Sequence, residues 1–230
     1  CALENSLMVL TGGPGTGKTT IVSFIIECYE QIGKKVTLCA PTGRAAKRLA
    51  ESSGRKASTI HRLLEVGYTD ENEQENFYNR DESNPLDTDV LIVDEMSMVD
   101  IFLIKALFCA IKTGTSVIMV GDRDQLPSVG PGKVLWDFIE SEKVSTVTLD
   151  EIFRQSSESS IIINAHRVNQ GKPLELVKGA DDFFFMARNT HSEAADLIVE
   201  LISSRQPQYF GVKPQDIHIL SPVKKSESGV

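Results

Sequence analysis

The segment Gly12-Gly13-Pro14-Gly15-Thr16-Gly17-Lys18-Thr19 fills every position of the Walker A pattern. Glycines at this spacing let successive backbone N–H groups turn inward around a polyphosphate, and a helix beginning at once adds the positive end of its dipole. Lys18 then reaches the β and γ phosphates, and the hydroxyl of Thr19 holds Mg²⁺. The expected binding set is Gly12, Gly13, Pro14, Gly15, Thr16, Gly17, Lys18, Thr19 and Thr20. A chance glycine-rich turn is the alternative. The length of the match and its flanks, an apolar run Leu7 to Leu10 before it and an apolar helix pattern after it, argue against that.

A second acidic element decides what happens to the nucleotide. Val90-Leu91-Ile92-Val93 is a continuous apolar run suited to a strand buried on both faces, and it ends in Asp94-Glu95. In a parallel sheet the carboxylates and the phosphate loop emerge on the same edge. Asp94 is then placed to bind Mg²⁺ through water, and Glu95 to orient and deprotonate the attacking water. A solvated strand end is the plain alternative. No Asn-Lys-x-Asp guanine-reading motif occurs, which favours ATP over GTP.

Strand and helix patterns alternate around these motifs. Leu7 to Thr11 leads into a helix over Thr19 to Ile32, and Val36 to Ala40 leads into a helix over Gly43 to Ser52. Val90 to Val93 precedes a helix over Asp100 to Lys112 with Asp100 as N-cap; Ser116 to Val120, a helix near Gly132 to Glu140 and a strand Val144 to Leu149 follow. This order predicts an α/β fold, a doubly wound parallel sheet with helices on both faces. Val66 to Pro85 breaks the rhythm and reads as an inserted hairpin around a polar turn, with an acidic loop as the alternative. Beyond Leu149, Ile152 to Gln170 contains a helix ending at Gly171. A strand Phe183 to Met186, a helix His191 to Ser203 and a strand Ile217 to Leu220 suggest a second α/β unit. The domains expected are thus 1–175, with the insertion at 66–85, and 176–230 as the start of another. The chain begins without methionine and stops in mid-pattern, so a piece of a longer protein is expected.

With 230 residues, 41% of them hydrophobic, the chain can bury one large core or somewhat more. No apolar run approaches the length of a membrane span. Cys1, Cys28, Cys39 and Cys109 lack Cys-x-x-Cys spacing, and the four histidines are dispersed, so reduced packed thiols in a cytoplasmic protein are expected rather than a zinc site. The net charge of −8 conceals a segregation: Lys34 to Arg62 carries eight basic residues against Glu51, whereas Asp70 to Asp100 carries eleven acids against Arg80. A solvated face is the plain alternative for the basic stretch. The functional reading is a phosphate-contacting surface beside the nucleotide site.

Six segments occur in order: the phosphate loop through Thr20, Ala40-Pro41-Thr42-Gly43-Arg44-Ala45-Ala46-Lys47-Arg48-Leu49, Thr59-Ile60-His61-Arg62-Leu63-Leu64, Asp94-Glu95-Met96-Ser97-Met98-Val99-Asp100, Val120-Gly121-Asp122-Arg123-Asp124-Gln125-Leu126-Pro127-Ser128-Val129-Gly130, and Phe153-Arg154-Gln155. Together they closely resemble the RecD family, the exodeoxyribonuclease V alpha subunit and its stand-alone relatives, which are superfamily one DNA helicases moving five-prime to three-prime in recombination and repair. The resemblance spans nearly the whole chain. It implies a RecA-like P-loop NTPase fold, ATP and Mg²⁺ as ligands, single-stranded DNA and a duplex junction as partners, and in some members nuclease and helicase subunits of an exodeoxyribonuclease V complex.

Carried over by position, the resemblance makes Gln125 a γ-phosphate sensor and Arg154 a positive fork to the γ phosphate, for which a helix-surface salt bridge is the alternative. Thr42, Gly43, Arg44 and Lys47 resemble the motif that grips the single-strand backbone. His61 resembles a neighbouring DNA-contact motif, although a capped, packed helix residue would look the same. Val66 to Pro85 stands where the family has a pin at the duplex fork, and Leu220 to Lys225, with Ser221 and Lys224, resembles the start of the second motor domain and its strand contact. The adenine-contacting glutamine motif and the later motifs of a second motor domain are absent from these residues. Two rival readings stay open: an ATP-dependent DNA-binding switch or accessory ATPase without unwinding, and a phosphotransferase using the same loop.

Overall fold

The structure, a computed structural model, describes residues 1–67, 77–151, 159–176 and 182–221. Two compact units divide the chain, Cys1–Glu175 and Leu176–Val230. In the first, β1 (Leu7–Gly12) runs into α1 (Lys18–Gln31), β2 (Val36–Ala40) into α2 (Gly43–Ser53), and β3 (Ala57–Thr59) into the short α3 (Ile60–Leu63). The two-residue strands β4 (Val66–Gly67) and β5 (Phe77–Tyr78) follow, then β6 (Val90–Val93), a 3-10 turn at Met96–Met98, α4 (Ile101–Cys109), β7 (Ser116–Gly121), α5 (Val134–Glu140), β8 (Ser145–Leu149) and α6 (Ser160–Asn169).

Six strands form one parallel sheet in the order β3-β2-β6-β7-β1-β8. Side chains alternate across a strand, so apolar runs such as Leu7 to Leu10 and Val90 to Val93 feed two cores at once. Met8, Leu10, Ile92, Ile118 and Val120 face one way and meet Val22 and Ile26 of α1 and Leu49 of α2. Val9, Leu91, Val93, Val117 and Met119 face the other way and meet Ile60 of α3, Leu103 and Leu107 of α4, and Leu135 of α5. Helices therefore cover both faces, as the alternating pattern predicts.

Local signals set the ends of the elements. Asp100 accepts from the Leu103 N–H at 2.8 Å and starts α4. That helix stops at Cys109, short of the expected Lys112; the carbonyl of Ala110 instead accepts the Leu86 N–H at 2.8 Å. The sequence pattern did not reveal β3, and it offered α3 only as the capped-helix alternative at His61; Thr59 does cap this helix, but His61 is exposed. Three residues of mostly polar character form no period, and β3 exists only because it completes the edge beside β2, pairing Leu38 with Ala57 and Ala40 with Thr59. The strands β4 and β5 form part of the expected insertion, Val66 opposing Tyr78 and Gly67 opposing Phe77 in antiparallel register, while its polar turn lies outside the described residues. Its base is tied by Arg80, which donates to Glu65 Oε1 from Nε at 3.0 Å and Nη2 at 2.7 Å.

In the second unit Thr190 caps a helix, His191–Glu200, by accepting from Glu193 N–H, while Glu193 accepts from Asn189 N–H. The helical path continues past the expected Ser203 through a π turn at Leu201–Arg205 into Gln206–Phe210. Pro207 offers no N–H to the ladder, which accounts for the wider turn just before it. The strands expected at Phe183 to Met186 and Ile217 to Leu220 are not formed. A strand needs a neighbour for its backbone groups, and among the described residues of this unit there is none. No described helix is long and apolar enough to cross a membrane.

The central strands carry the first unit, so Ile92→Ala, at a fully buried position on β6, is expected to cost about 2–5 kcal/mol in chemical denaturation. Phe102→Ala, at an exposed position on α4, should stay within about 0.5 kcal/mol.

Candidate nucleotide-binding site

The ends of β1, β7 and β6 lie side by side and deliver the phosphate loop, Asp122 and the Asp94-Glu95 pair to one edge of the sheet. Gly17 has φ 82°, a left-handed conformation that glycine adopts without strain, and this lets the loop turn straight into α1. Glu95 also has positive φ, 54°, at a cost of roughly 1–2 kcal/mol for a residue with a Cβ. A cavity of about 420 Å³ opens at this edge, lined by Pro14 to Thr19, Asp94, Glu95, Asp122 and Gln125, with Arg48 and Ser52 from α2. Gly12 and Gly13 shape the loop behind the lining, and Thr20 is exposed on the first turn of α1.

Lys18, Asp94 and Glu95 share this cavity with Arg48 and Asp122. Lys18 Nζ folds back onto the loop, donating to the carbonyls of Gly12 at 2.6 Å and Gly13 at 2.9 Å. Burial pulls its pKa down, against the opposing pull of Asp122, Glu95 and Asp94. Burial pushes Asp94 up, partly offset by the Glu95 N–H that its Oδ1 accepts at 2.9 Å and by Arg48 and Lys18. Glu95 is pushed up by burial and then by Asp94. Asp94 and Glu95, both desolvated, line the cavity together with Thr19, and this donor set fits a hard divalent cation. Gln125 is exposed at the cavity rim, where its Oε1 accepts from Ser97 Oγ at 3.3 Å. The adjoining loop is fixed by the Arg123 N–H donating to Thr11 Oγ1 and the Asp124 N–H donating to Asp122.

The basic stretch divides by the partners of its residues. Lys34 and Lys35 pair with Asp89 and Asp87 of the acidic stretch, and Arg55 grips Glu30. These are structural ends. Between them Thr42 caps α2 by accepting the Ala45 N–H at 3.2 Å, leaving Gly43, Arg44 and Lys47 exposed; Lys47 makes an exposed pair with Glu51 at 3.8 Å. Arg44 and Arg48 are four residues apart on one helical face, which carries cation from the surface into the cavity. His61 is exposed on α3, whose start Thr59 caps. Ser221 belongs to the second unit, while Arg154 and Lys224 lie outside the described residues. Sequence reasoning passed over Arg48, Ser52 and Asp122 as cavity residues. The i, i+4 spacing from Arg44 through Arg48 to Ser52 was the available signal for the first two.

Fold and cavity together define a RecA-like P-loop nucleotide-binding unit. The family model described as AAA domain matches residues 1–131. The chain belongs to that family. It is homologous to RecD-type helicases: the ATP-dependent RecD2 DNA helicase of Deinococcus radiodurans is 43% identical over 236 aligned residues, covering 97% of this chain and 31% of that protein. The RecBCD enzyme subunit RecD of Mycobacterium tuberculosis is 37% identical over 185 residues, covering 70% and 31%. The chain thus spans about a third of the length of these curated relatives. The crystal structure of the Pif1 helicase from Candida albicans aligns with a TM-score of 0.50 at 24% identity, over 90% of this chain and 52% of that one, a likeness of fold.

The raised carboxylates set a pH dependence. Between the ordinary carboxylate range and their raised values the folded state holds more protons than the unfolded chain, so stability falls as pH rises through that window. Thermal midpoints of the ligand-free protein against pH should decline there, and Asp94→Asn, which keeps the acceptor for the Glu95 N–H, should flatten the decline.

Proposed function

We propose that this protein is the leading motor domain of an ATP-dependent DNA helicase of superfamily one, moving five-prime to three-prime on single-stranded DNA in recombination and repair. The observation that carries this reading is the cavity that Lys18, Asp94 and Glu95 share with Arg48, on the helix whose exposed N-terminal end bears Arg44 and Lys47. A nucleotide site and a candidate strand grip meet on α2. The names of the homologous helicases support the same assignment.

In this account Lys18 leaves the carbonyls of Gly12 and Gly13 for the β and γ phosphates. Thr19 and Asp94 would hold Mg²⁺, which neutralises charge on the phosphate oxygens when bound. Glu95, raised by burial, accepts the proton of the attacking water, and Gln125 reads the γ phosphate from the rim. Arg154 adds a cation to the γ phosphate. Arg44, Lys47, Gly43 and Thr42 hold the sugar-phosphate backbone, with His61 and, from the second unit, Ser221 and Lys224 as further contacts. We assign residues 1–175 to the first motor domain, with 66–85 as the pin at the duplex junction, and 176–230 to the beginning of the second. Four free thiols support a cytoplasmic location, and the similarity to RecD supports membership of an exodeoxyribonuclease V assembly or stand-alone action.

Glu95→Gln should keep ATP affinity within about twofold while lowering DNA-stimulated turnover by about 10² or more, measured as phosphate release; unchanged turnover removes Glu95 from the role of base. Lys18→Ala should lose nucleotide binding itself.

Reversing Arg44 and Lys47 to Glu should weaken single-strand binding equally for all sequences and make log K against log salt shallower by about 1.4, at about 0.7 per lost phosphate contact. An unchanged slope in fluorescence-anisotropy titrations makes this stretch a solvated face only.

A further inference from the structure

His166 lies against the phosphate loop from outside the cavity. A Cβ built on Gly13 would stand 2.9 Å from His166 Cε1 and 3.5 Å from Nε2, so a side chain at that position of the loop would require the imidazole to shift. The Nε2 atom is buried and has no hydrogen-bond partner among the described residues. A buried polar nitrogen without a partner is destabilising, which a ring edge could avoid by turning to solvent. The surroundings hold it in place. Asn164, 2% exposed, donates to the carbonyls of Ser160 and Glu175 and accepts the Glu175 N–H at 2.7 Å. Arg167 donates to the Pro173 carbonyl at 2.8 Å and pairs with Glu175 at 3.0 Å. α6 and residues 172–175 thus form one stiff hook that carries the imidazole.

Across from it, the loop has a bond to lose. Lys18 occupies the carbonyls of Gly12 and Gly13; Gly13 also accepts from Thr16 Oγ1 at 2.9 Å, whereas Lys18 is the side chain held by Gly12. When Lys18 turns to a polyphosphate, a loop carbonyl loses its cation, and the unpartnered imidazole nitrogen lies 3.5 Å from the position a Gly13 Cβ would take.

We propose that His166 is a positioning residue of the phosphate loop, its Nε2–H taking over a Gly12 or Gly13 carbonyl that Lys18 releases when a nucleoside polyphosphate binds. The proposal rests on the nucleotide reading of the site. The exchange keeps the loop's acceptors satisfied in both states. It also makes the hook of α6 and residues 172–175 sensitive to nucleotide through one hydrogen bond.

The test uses the unaltered protein, His166→Phe and His166→Gln, with Mg²⁺ and ADP as the probe. In ¹⁵N-histidine spectra of the unaltered protein, the imidazole resonance missing from His166→Phe should shift on ADP addition, and its N–H should become slow to exchange. His166→Phe keeps the ring volume without the donor and should bind ADP about five- to tenfold more weakly, with a ligand-free thermal midpoint no lower than that of the unaltered protein. His166→Gln, which restores an N–H, should recover part of the affinity. ADP binding by the unaltered protein with imidazole signals unmoved, or equal affinity in His166→Phe, overturns the inference and leaves the nucleotide site standing. Absence of ADP binding by the unaltered protein overturns both.

Discussion

Everything in the first unit depends on holding one cation and two carboxylates partly out of water without letting them collapse onto each other. Lys18, Asp94 and Glu95 each have pKa values displaced by burial toward their neutral forms. Their separation is set by the sheet: β7 lies between β1 and β6, so the loop after β1 and the carboxylates after β6 face each other across one strand, with Asp122 at the end of that strand. The two-sided apolar core fixes this spacing. Val9, Leu91 and Met119 pin one face and Leu10, Ile92 and Ile118 the other, so the edge that bears the charges cannot shear to bring them together.

The charge imbalance of this edge is also what makes it receptive. In the proposed function a polyphosphate would supply the anion for Lys18 and Arg48, and a divalent cation the positive charge for Asp94 and Glu95. Until then Lys18 satisfies itself on the carbonyls of the loop, a closed form from which ligand must displace it. α2 ties this balance to the exterior: its capped N-terminal end exposes Arg44 and Lys47, and one turn further Arg48 enters the cavity. This helix is three turns long, so the exposed Arg44 and Lys47 and the cavity-lining Arg48 belong to one stiff element.

The fold was legible wherever an element is buried on two faces or closed by a local cap. The phosphate loop, the strands β1, β2, β6 and β7 and the Asp100 cap all have short-range causes, and these stood in the sequence. Elements defined by their neighbours did not. The strand β3 exists because β2 offers an edge, and the apolar run Phe183 to Met186 is no strand among the described residues because no strand lies beside it. The same division holds at the site. Lys18, Asp94 and Glu95 belong to motifs, but Arg48 reaches the cavity through helical geometry, and His166 meets Gly13 across 153 residues of chain with no local pattern to announce it.

The most direct measurement of the central claim is a crystal structure of the protein with a nonhydrolysable ATP analogue and Mn²⁺ in place of Mg²⁺, read by anomalous scattering. The account predicts the triphosphate within the loop Gly12 to Thr19, Lys18 Nζ moved from the Gly12 and Gly13 carbonyls to phosphate oxygens, and a manganese peak between Thr19 and Asp94. A triphosphate bound elsewhere, or Lys18 still on its own loop with the analogue in place, would contradict it.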